Sequence, residues 1–384
     1  MSENKSSIAS QIIGEKRYKL LELFFTQERT FFRLLALFLV IAAITYPYPQ
    51  IAMWVGFSLA AYSAIANDSI QSIGTFIASN SERKWWLLWL FIGGIFVITV
   101  FYSWYYYGGD VSHERLLSKD SDGNLKFPQA EKFKFLQLAA PIVLLLLTRL
   151  RMPVSTTFML LSVFSANSKG ILSVGEKSLI GYLIAFGVAM LVWFGLNFLI
   201  KRILKGEMSP LWVVAQWLIS GWLWSMWVMH DAANIAIFLP RSLTLTGFIV
   251  FAGVVFFGLG LLFYLRGDKI QSIVTEKSDV TDIRSASIID FAYLIVLFVF
   301  KEMSNVPMST TWVFIGLLGG RELAMRLSAR ATKSVEVDGT MSLRTTLLMV
   351  AKDLTYATIG LIVSIAMAIA INDSLQDEIL EWFR

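Results

Sequence analysis

The sequence of 384 residues has no cysteine, only two histidines and few charged side chains. The lack of cysteine excludes disulfides, thiolate metal sites and cysteine nucleophiles. With two histidines as well, a metal-hydrolase cluster would lack ligands. Charged residues make up 16% of the chain, whereas soluble domains usually carry about a quarter. These shortages exclude a soluble enzyme, a disordered chain and a disulfide-stapled secreted fold.

Hydrophobic residues, by contrast, make up 56% of the chain. They occur in blocks of roughly twenty, which is the length that crosses a bilayer core as a helix. We therefore predict an all-α polytopic membrane protein with about eleven membrane elements. Their approximate bounds are 31–48, 50–79, 85–106, 134–150, 152–168, 177–200, 211–239, 243–265, 287–304, 306–320 and 345–371.

The basic residues predict how the chain is oriented. If the N-terminus is cytoplasmic and each element crosses once, most lysine and arginine residues lie on the cytoplasmic side, as in membrane proteins generally. The net charge of +5 therefore indicates cytoplasmic loops and no nucleic-acid partner. The polar segment 1–29 is predicted to be cytoplasmic, with an amphipathic helix over Gln11–Arg29 at the membrane surface, and no cleavable signal peptide is expected. We expect a multi-pass protein of the cell (inner or plasma) membrane.

Two short motifs occur twice in the same order. Asn67-Asp68 has a partner in His230-Asp231, and the segment 153–157 (PVSTT) has a partner in 307–311 (PMSTT). Each half contains five predicted elements, so the second half enters the membrane upside down. This inverted repeat is typical of secondary transporters, whose sites lie at the midplane between the halves. We divide the chain into an extra transmembrane helix at 30–48, a first repeat at 49–206 and a second, inverted repeat at 207–384.

The first motif predicts cation binding. An intramembrane aspartate is costly in hydrocarbon and is therefore a functional candidate, although an aspartate can also cap a helix at the membrane interface. Oxygen-bearing side chains four residues apart share one stripe of a helix, and carboxylate, amide and hydroxyl oxygens suit a hard cation. The predicted cation-binding residues are Asn67, Asp68, Thr75, His230 and Asp231, with Asp68 and Asp231 as the Na⁺ ligands.

The second motif predicts anion binding. Proline is tolerated in the first turn of a helix, and the free N–H groups of a helix start attract anions. Hydroxyl groups at two opposed helix starts would add donors, although they can also simply cap the helices. The predicted anion-binding residues are Ser155, Thr156, Thr157, Ser309, Thr310, Thr311, Gln71 and Asn234.

Both motif pairs resemble the signature segments of the inorganic phosphate transporter (PiT) family. ANDSIQSIGT at 66–75 and PVSTT match the first-half signatures, HDAAN at 230–234 and PMSTT the second-half copies, and the resemblance covers about 50–371. It implies a Na⁺- or H⁺-coupled phosphate symporter with an inverted-repeat fold, often a homodimer, and a relative in the same superfamily moves sulfate. The chain departs from the family at Gln71 and His230, where the family has asparagine, and at Ile237, where it has glycine.

The expected function is thus cation-coupled symport of an inorganic oxyanion, phosphate first, with no cofactor beyond the coupling ion. One alternative is a transporter of sulfate or another anion with the same fold. Another is an anion channel or a non-transporting receptor on the same scaffold. An intramembrane aspartyl protease is not expected, because Gly258-Leu259-Gly260 is followed by Leu261 and not by the aspartate of that motif. His230 admits two interpretations: it responds to protons near neutral pH, or it is a neutral replacement for asparagine.

Overall fold

The computed structural model describes residues 28–119, 123–150, 152, 154–165, 168–195, 207–265, 283–303, 308–331, 343–373 and 375–377. Most of the predicted N-terminal amphipathic helix lies outside these residues, and so do Pro153 and Pro307. The regular secondary structure of the described residues is helical, apart from an isolated bridge between Lys119 and Leu125. The all-α prediction is confirmed.

Among the described residues, ten α-helices and one short helical segment correspond to the eleven predicted elements. The helices are α1 Arg29–Thr45, α2 Pro49–Ser79, α3 Trp85–Tyr106, α4 Phe135–Arg149, α5 Ser168–Met190, α6 Leu211–Ala236, α7 Leu245–Tyr264, α8 Ile283–Met303, α9 Thr310–Ala331 and α10 Leu343–Ile371. The short segment consists of Thr157–Leu161 and Ser162–Phe164, and lies between α4 and α5. A single turn, Arg115–Leu117, lies in the loop between α3 and α4.

Five of the helices are long and apolar enough to cross a bilayer: Trp85–Tyr106, Ser168–Phe194, Leu211–Ala236, Leu245–Tyr264 and Arg344–Ile371. Their outer faces carry large apolar side chains such as Ile98 and Phe257, which are 70% and 68% exposed. A soluble protein rarely exposes contiguous apolar surface of this kind. These faces suit contact with lipid and turn the polar residues toward the protein interior.

The predicted boundary between the fifth and sixth elements was wrong. The element placed at 152–168 is short and ends at Phe164, and the helix placed at 177–200 begins at Ser168. Lys177, the first residue of the predicted element, therefore lies well within α5. The polar residues at the start of this helix hid it from a hydropathy count. One of them, Ser178, is buried and accepts a hydrogen bond from the backbone N–H of Ser309 (2.8 Å), so its polarity faces protein and not lipid.

Helices from the two halves pack in reciprocal pairs. In the centre α2 packs against α6, while α3 packs against α6 and α7 against α2. At the other end α5 packs along α9, and α10 packs against the short segment 157–164. Each pair therefore has a counterpart in which the halves exchange roles. The two motif regions meet where these pairs converge.

The α5–α9 contact depends on two glycines of α9 that are four residues apart. A Cβ at Gly316 would lie 2.3 Å from the carbonyl oxygen of Tyr182, and one at Gly320 would lie 2.3 Å from that of Phe186. Small residues at this spacing let the backbones of two membrane helices approach closely. The two glycines thereby hold the start of α9 beside α5.

We predict that Gly316→Ala and Gly320→Ala each destabilise the protein by ~1–3 kcal/mol, because the added methyl group overpacks this contact. Gly187→Ala on α5 is the matched control, since a Cβ there meets no atom within 4 Å. Thermal unfolding in detergent measures the effect. Equal unfolding temperatures for the three variants would show that the contact is not close.

Candidate functional site

All the residues predicted to bind the anion or the cation are buried. Asn67, Asp68, Gln71 and Thr75 lie on α2, and His230, Asp231 and Asn234 lie on α6. Ser155, Thr156 and Thr157 form the start of the short segment, and Ser309, Thr310 and Thr311 the start of α9. Four elements thus bring the two motif pairs into one interior region.

In the first half, Asp68 is held by its neighbours at one oxygen. The side-chain amide of Asn67 donates to Asp68 Oδ1 and to the carbonyl oxygen of Val154, both at 2.7 Å. The Asn67 oxygen accepts from the hydroxyl of Thr148 (2.9 Å), and Thr156 lies next to Asp68. Asp68 Oδ2 is buried and accepts no hydrogen bond within the described residues. One carboxylate oxygen is therefore left for a ligand.

In the second half, Asn234 links Asp231 to the first-half hydroxyls. Its amide nitrogen donates to Asp231 Oδ1 (2.5 Å) and contacts the hydroxyl oxygens of Thr156 (3.0 Å) and Thr157 (3.2 Å). Thr310 lies next to Asp231, as Thr156 lies next to Asp68. Asp231 Oδ2 and Asn234 Oδ1 are buried and accept no hydrogen bond from the described chain.

His230 is also buried. Its Nε2 lies 2.9 Å from the carbonyl oxygen of Leu297, and a carbonyl only accepts, so Nε2 carries the hydrogen. Nδ1 has no hydrogen-bond partner among the described residues. The ring thus has one nitrogen that donates a hydrogen bond and one that can accept. An asparagine amide likewise donates through its nitrogen and accepts through its oxygen.

The two serines act as helix caps. Ser155 Oγ accepts from the backbone N–H of Phe158, and Ser309 Oγ accepts from that of Trp312, both at 3.2 Å. Such a cap satisfies one of the N–H groups that a helix start leaves without a partner. The capping interpretation and the binding interpretation are compatible, because an accepting hydroxyl still has its own hydrogen to donate.

Two threonines connect the two halves by equivalent hydrogen bonds. The hydroxyl of Thr157 donates to the carbonyl oxygen of Met308 (3.1 Å), and that of Thr311 donates to the carbonyl oxygen of Val154 (3.4 Å). Thr157 and Thr311 are equivalent positions of the two motifs, and so are Val154 and Met308. The two helix starts are therefore held against each other by matching hydrogen bonds.

Thr75 is not brought to Asp68. It lies two helical turns farther along α2, where its hydroxyl donates to Asp290 Oδ1 on α8 (2.6 Å). Ser220 donates to the other oxygen of Asp290 (2.6 Å). Gln71 lies between Asp68 and Thr75 on α2, and its side-chain oxygen has no hydrogen-bond partner in the described structure. Asp290 was assigned no site role from the sequence, since only its long-range contacts relate it to the motif.

Arg115 is the second residue that the motif analysis missed, because it lies in a polar loop. Its side chain is completely buried, and its Nε donates to the carbonyl oxygen of Met229 on α6 (2.8 Å). Burial lowers the pKa of Arg115 to about 10, and attraction to Asp231 acts in the opposite direction. Arg115 is therefore a cation at neutral pH. Asp231 in turn repels the carboxylate of Asp68.

Chemically, the region offers buried oxygens for a hard cation and hydroxyl hydrogens for an anion. The unbonded oxygens belong to Asp68, Asp231, Asn234 and Gln71, and carboxylate and amide oxygens are ligands that hard cations prefer. Within the described ranges there is no group of three or more His, Asp or Glu side chains that could hold a metal ion.

Comparison with known proteins finds a similar fold in a solved structure. No family model and no curated protein matches the sequence. A solved structure described as "The sodium-dependent phosphate transporter" matches with a TM-score of 0.52 and 18% identity, over 87% of this chain and 96% of that one. The resemblance to phosphate transporters is confirmed at the level of the fold. The chain therefore shares the all-α polytopic fold of that solved structure.

Proposed function

We propose that the chain is a symporter that moves inorganic phosphate across a cell membrane together with Na⁺. The observation that carries this proposal is the meeting of two buried carboxylates, each with an unbonded oxygen, and two helix starts rich in hydroxyls. The similar structure is that of a sodium-dependent phosphate transporter by its description, which favours phosphate over sulfate and Na⁺ over H⁺.

Charge repulsion is the physical basis of the coupling. The carboxylates of Asp68 and Asp231 already repel each other, and an anion entering between them would add to that repulsion. In a low-dielectric interior such repulsion is strong. Na⁺ bound at the free oxygens of Asp68 and its neighbours would remove it. Cation binding then precedes or accompanies anion binding, and neither solute crosses alone.

The hydroxyls divide into two groups. Those of Thr157 and Thr311 donate to backbone carbonyls of the opposite half, so their hydrogens are already used. Those of Ser155, Thr156, Ser309 and Thr310 are the donors that we assign to the anion. Asn234 uses its amide hydrogens on protein oxygens, and its free oxygen suits the cation better than the anion.

We further propose that the two halves are inverted repeats with a cytoplasmic N-terminus. The reciprocal hydrogen bonds of Thr157 and Thr311 and the reciprocal helix pairs support a two-fold relation between the halves. Such repeats place their shared site between the two halves. A homodimer stays a prediction from the family resemblance.

Uptake into proteoliposomes tests the function. We expect radiolabelled phosphate to accumulate saturably under an inward Na⁺ gradient and to be displaced by arsenate more than by sulfate. Uptake that is equal with and without a gradient would indicate a channel, and binding without uptake would indicate a receptor. Preference for sulfate would overturn the assignment of the anion.

Hydroxyl variants test the assignment of the anion donors. Thr156→Val and Thr310→Val should each raise the KM for phosphate by about tenfold, because a lost buried donor costs ~1–3 kcal/mol. Thr99→Val is the matched control, since Thr99 is a buried threonine whose hydroxyl pairs with Ser225 outside the site. An unchanged KM in both site variants would refute the assignment.

Cysteine labelling tests the orientation of the halves in this cysteine-free chain. Glu82 and Thr246 are both exposed; Glu82 lies in the connection after α2, and Thr246 lies in the first turn of α7, just after the connection that follows α6. An impermeant reagent should reach Glu82→Cys from the cytoplasmic side and Thr246→Cys from the opposite side. Labelling of both from the same side would contradict the inverted orientation.

A substitution of His230 tests whether the coupling ion is Na⁺ or a proton. Because the ring donates through Nε2 and leaves Nδ1 free, we propose that it is the neutral replacement for asparagine. His230→Asn should then retain Na⁺-driven uptake with the wild-type pH profile between about pH 5.5 and 8, the range in which an unperturbed imidazole titrates. A flattened profile would mean instead that His230 carries a coupling proton.

A further inference from the structure

A layer of hydrogen-bonded polar side chains lies between the motif residues and the end of α2 that leads to Glu82. We call this end the Glu82 end, and we call the six side chains the polar layer. They come from the last turn of α2, the first three turns of α6 and the second half's α8. Its members are Thr75, Ser79, Asn80, Gln216, Ser220 and Asp290.

The part of the layer next to the site is centred on Asp290. The hydroxyl of Thr75 donates to Asp290 Oδ1, and the hydroxyl of Ser220 donates to Oδ2, both at 2.6 Å. All three side chains are buried. Both carboxylate oxygens thus accept a hydrogen bond, and Asp290 joins the motif helix of the first half to two helices of the second.

The part of the layer nearer the Glu82 end is made of amides. Asn80 donates to Gln216 Oε1 (3.0 Å), and Gln216 donates to the hydroxyl of Ser79. Trp217 Nε1 and Arg83 Nε donate to the side-chain oxygen of Asn80, at 3.3 Å and 3.0 Å. The guanidinium of Arg83 also lies 5.4 Å from the centroid of the Trp217 ring. Hydrogen bonds between the two halves therefore close this end of the contact between α2 and α6.

The equivalent positions at the other end of the same two helices are apolar. At the spacing that relates Asn67 to His230, the polar positions Thr75, Asn80, Gln216 and Ser220 correspond to Phe238, Leu243, Met53 and Phe57. Phe238 packs there against Phe164, with ring centroids 4.9 Å apart, and a Cβ at Gly56 would lie 2.3 Å from its ring. One end is thus closed by hydrogen bonds and the other by aromatic packing.

The two kinds of closure differ in the cost of opening them to water. A hydrogen bond between protein groups can be exchanged for bonds to water with a small net change in free energy. Exposing aromatic surface costs free energy in proportion to its area. The polar layer is therefore the closure that opens to water at the lower cost. It also joins the two halves, and in transporters with inverted repeats one repeat moves against the other around the site.

We propose that the polar layer is the gate between the central site and the Glu82 end, which is the side that we assign to the cytoplasm. In the closed state Asp290 holds Thr75 and Ser220. When the gate opens, water replaces these bonds and reaches the site from that side. The role in transport rests on the proposed symport function, whereas the role as a barrier to water does not.

Cysteine labelling behind the gate tests the barrier in membrane vesicles. Ser72 lies on α2 between Asp68 and Thr75, is fully buried and has no part in the proposed binding. Its substitution Ser72→Cys adds one thiol to a chain without cysteine. An impermeant thiol reagent is added on the side from which it labels Glu82→Cys. We expect Thr75→Val and Asp290→Ala each to raise the rate of labelling at position 72 at least tenfold, because the buried partners that they leave unpaired favour the state that water reaches.

Thr99→Val is the matched control for Thr75→Val. Thr99 is a buried threonine whose hydroxyl pairs with that of Ser225 at 2.9 Å, outside the polar layer. We expect the same labelling rate at position 72 with and without Thr99→Val. An unchanged rate in both layer variants would overturn the proposal. An equal increase in Thr99→Val, or an equal increase when the reagent is added on the opposite side, would mean general loosening and would overturn it as well.

The KM for phosphate added on the side opposite to Glu82 tests the role in transport. A weakened gate shifts the population toward molecules that are open at the Glu82 end, so fewer present the site to the other side. Thr75→Val should therefore raise this KM severalfold, and Thr99→Val should leave it unchanged. An unchanged KM in Thr75→Val would refute the gate in transport. If wild type moves no phosphate, the proposed function fails, and the labelling still decides whether the polar layer is the barrier.

Discussion

Two carboxylates that repel each other in a protein interior without ready access to water are the constraint on which the site depends. Asp68 and Asp231 come from equivalent helices of the two halves, and each gives one oxygen to a neighbouring amide. An isolated ionised carboxylate is costly in such surroundings. The arrangement is therefore stable only with positive charge nearby, and a protein that obtains this charge from a dissolved ion is thereby coupled to that ion.

The same interior also explains why helices begin in the middle of the protein. A helix start leaves backbone N–H groups without partners, and in hydrocarbon each of them must be satisfied. Ser155 and Ser309 satisfy one N–H at each start, and the N–H of Ser309 itself donates to the hydroxyl of Ser178. Close packing at Gly316 and Gly320 keeps this start against α5, so the donors stay away from lipid.

The sequence could predict those parts of the site whose physical reason is local. An aspartate in an apolar block and a repeated Ser-Thr-Thr after proline can each be recognised within a few residues. The remainder depends on contacts between distant residues. Thr75 meets Asp290 on another helix, α5 begins among polar residues because Ser178 faces Ser309, and Arg115 reaches α6 from a loop. Neither hydropathy nor motif spacing predicts these contacts between distant residues.

The motif symmetry extends to hydrogen bonds but not to charge. Thr157 and Thr311 exchange equivalent bonds across the halves, which requires only that the two backbones face each other. Counter-charge is a separate requirement, and it can be met by any cation that reaches the carboxylate. Arg115 brings a positive charge from a loop onto α6, the helix that carries Asp231, through its hydrogen bond to the carbonyl oxygen of Met229. Two repeats can thus share a pattern of hydrogen bonds while the charged groups around them differ.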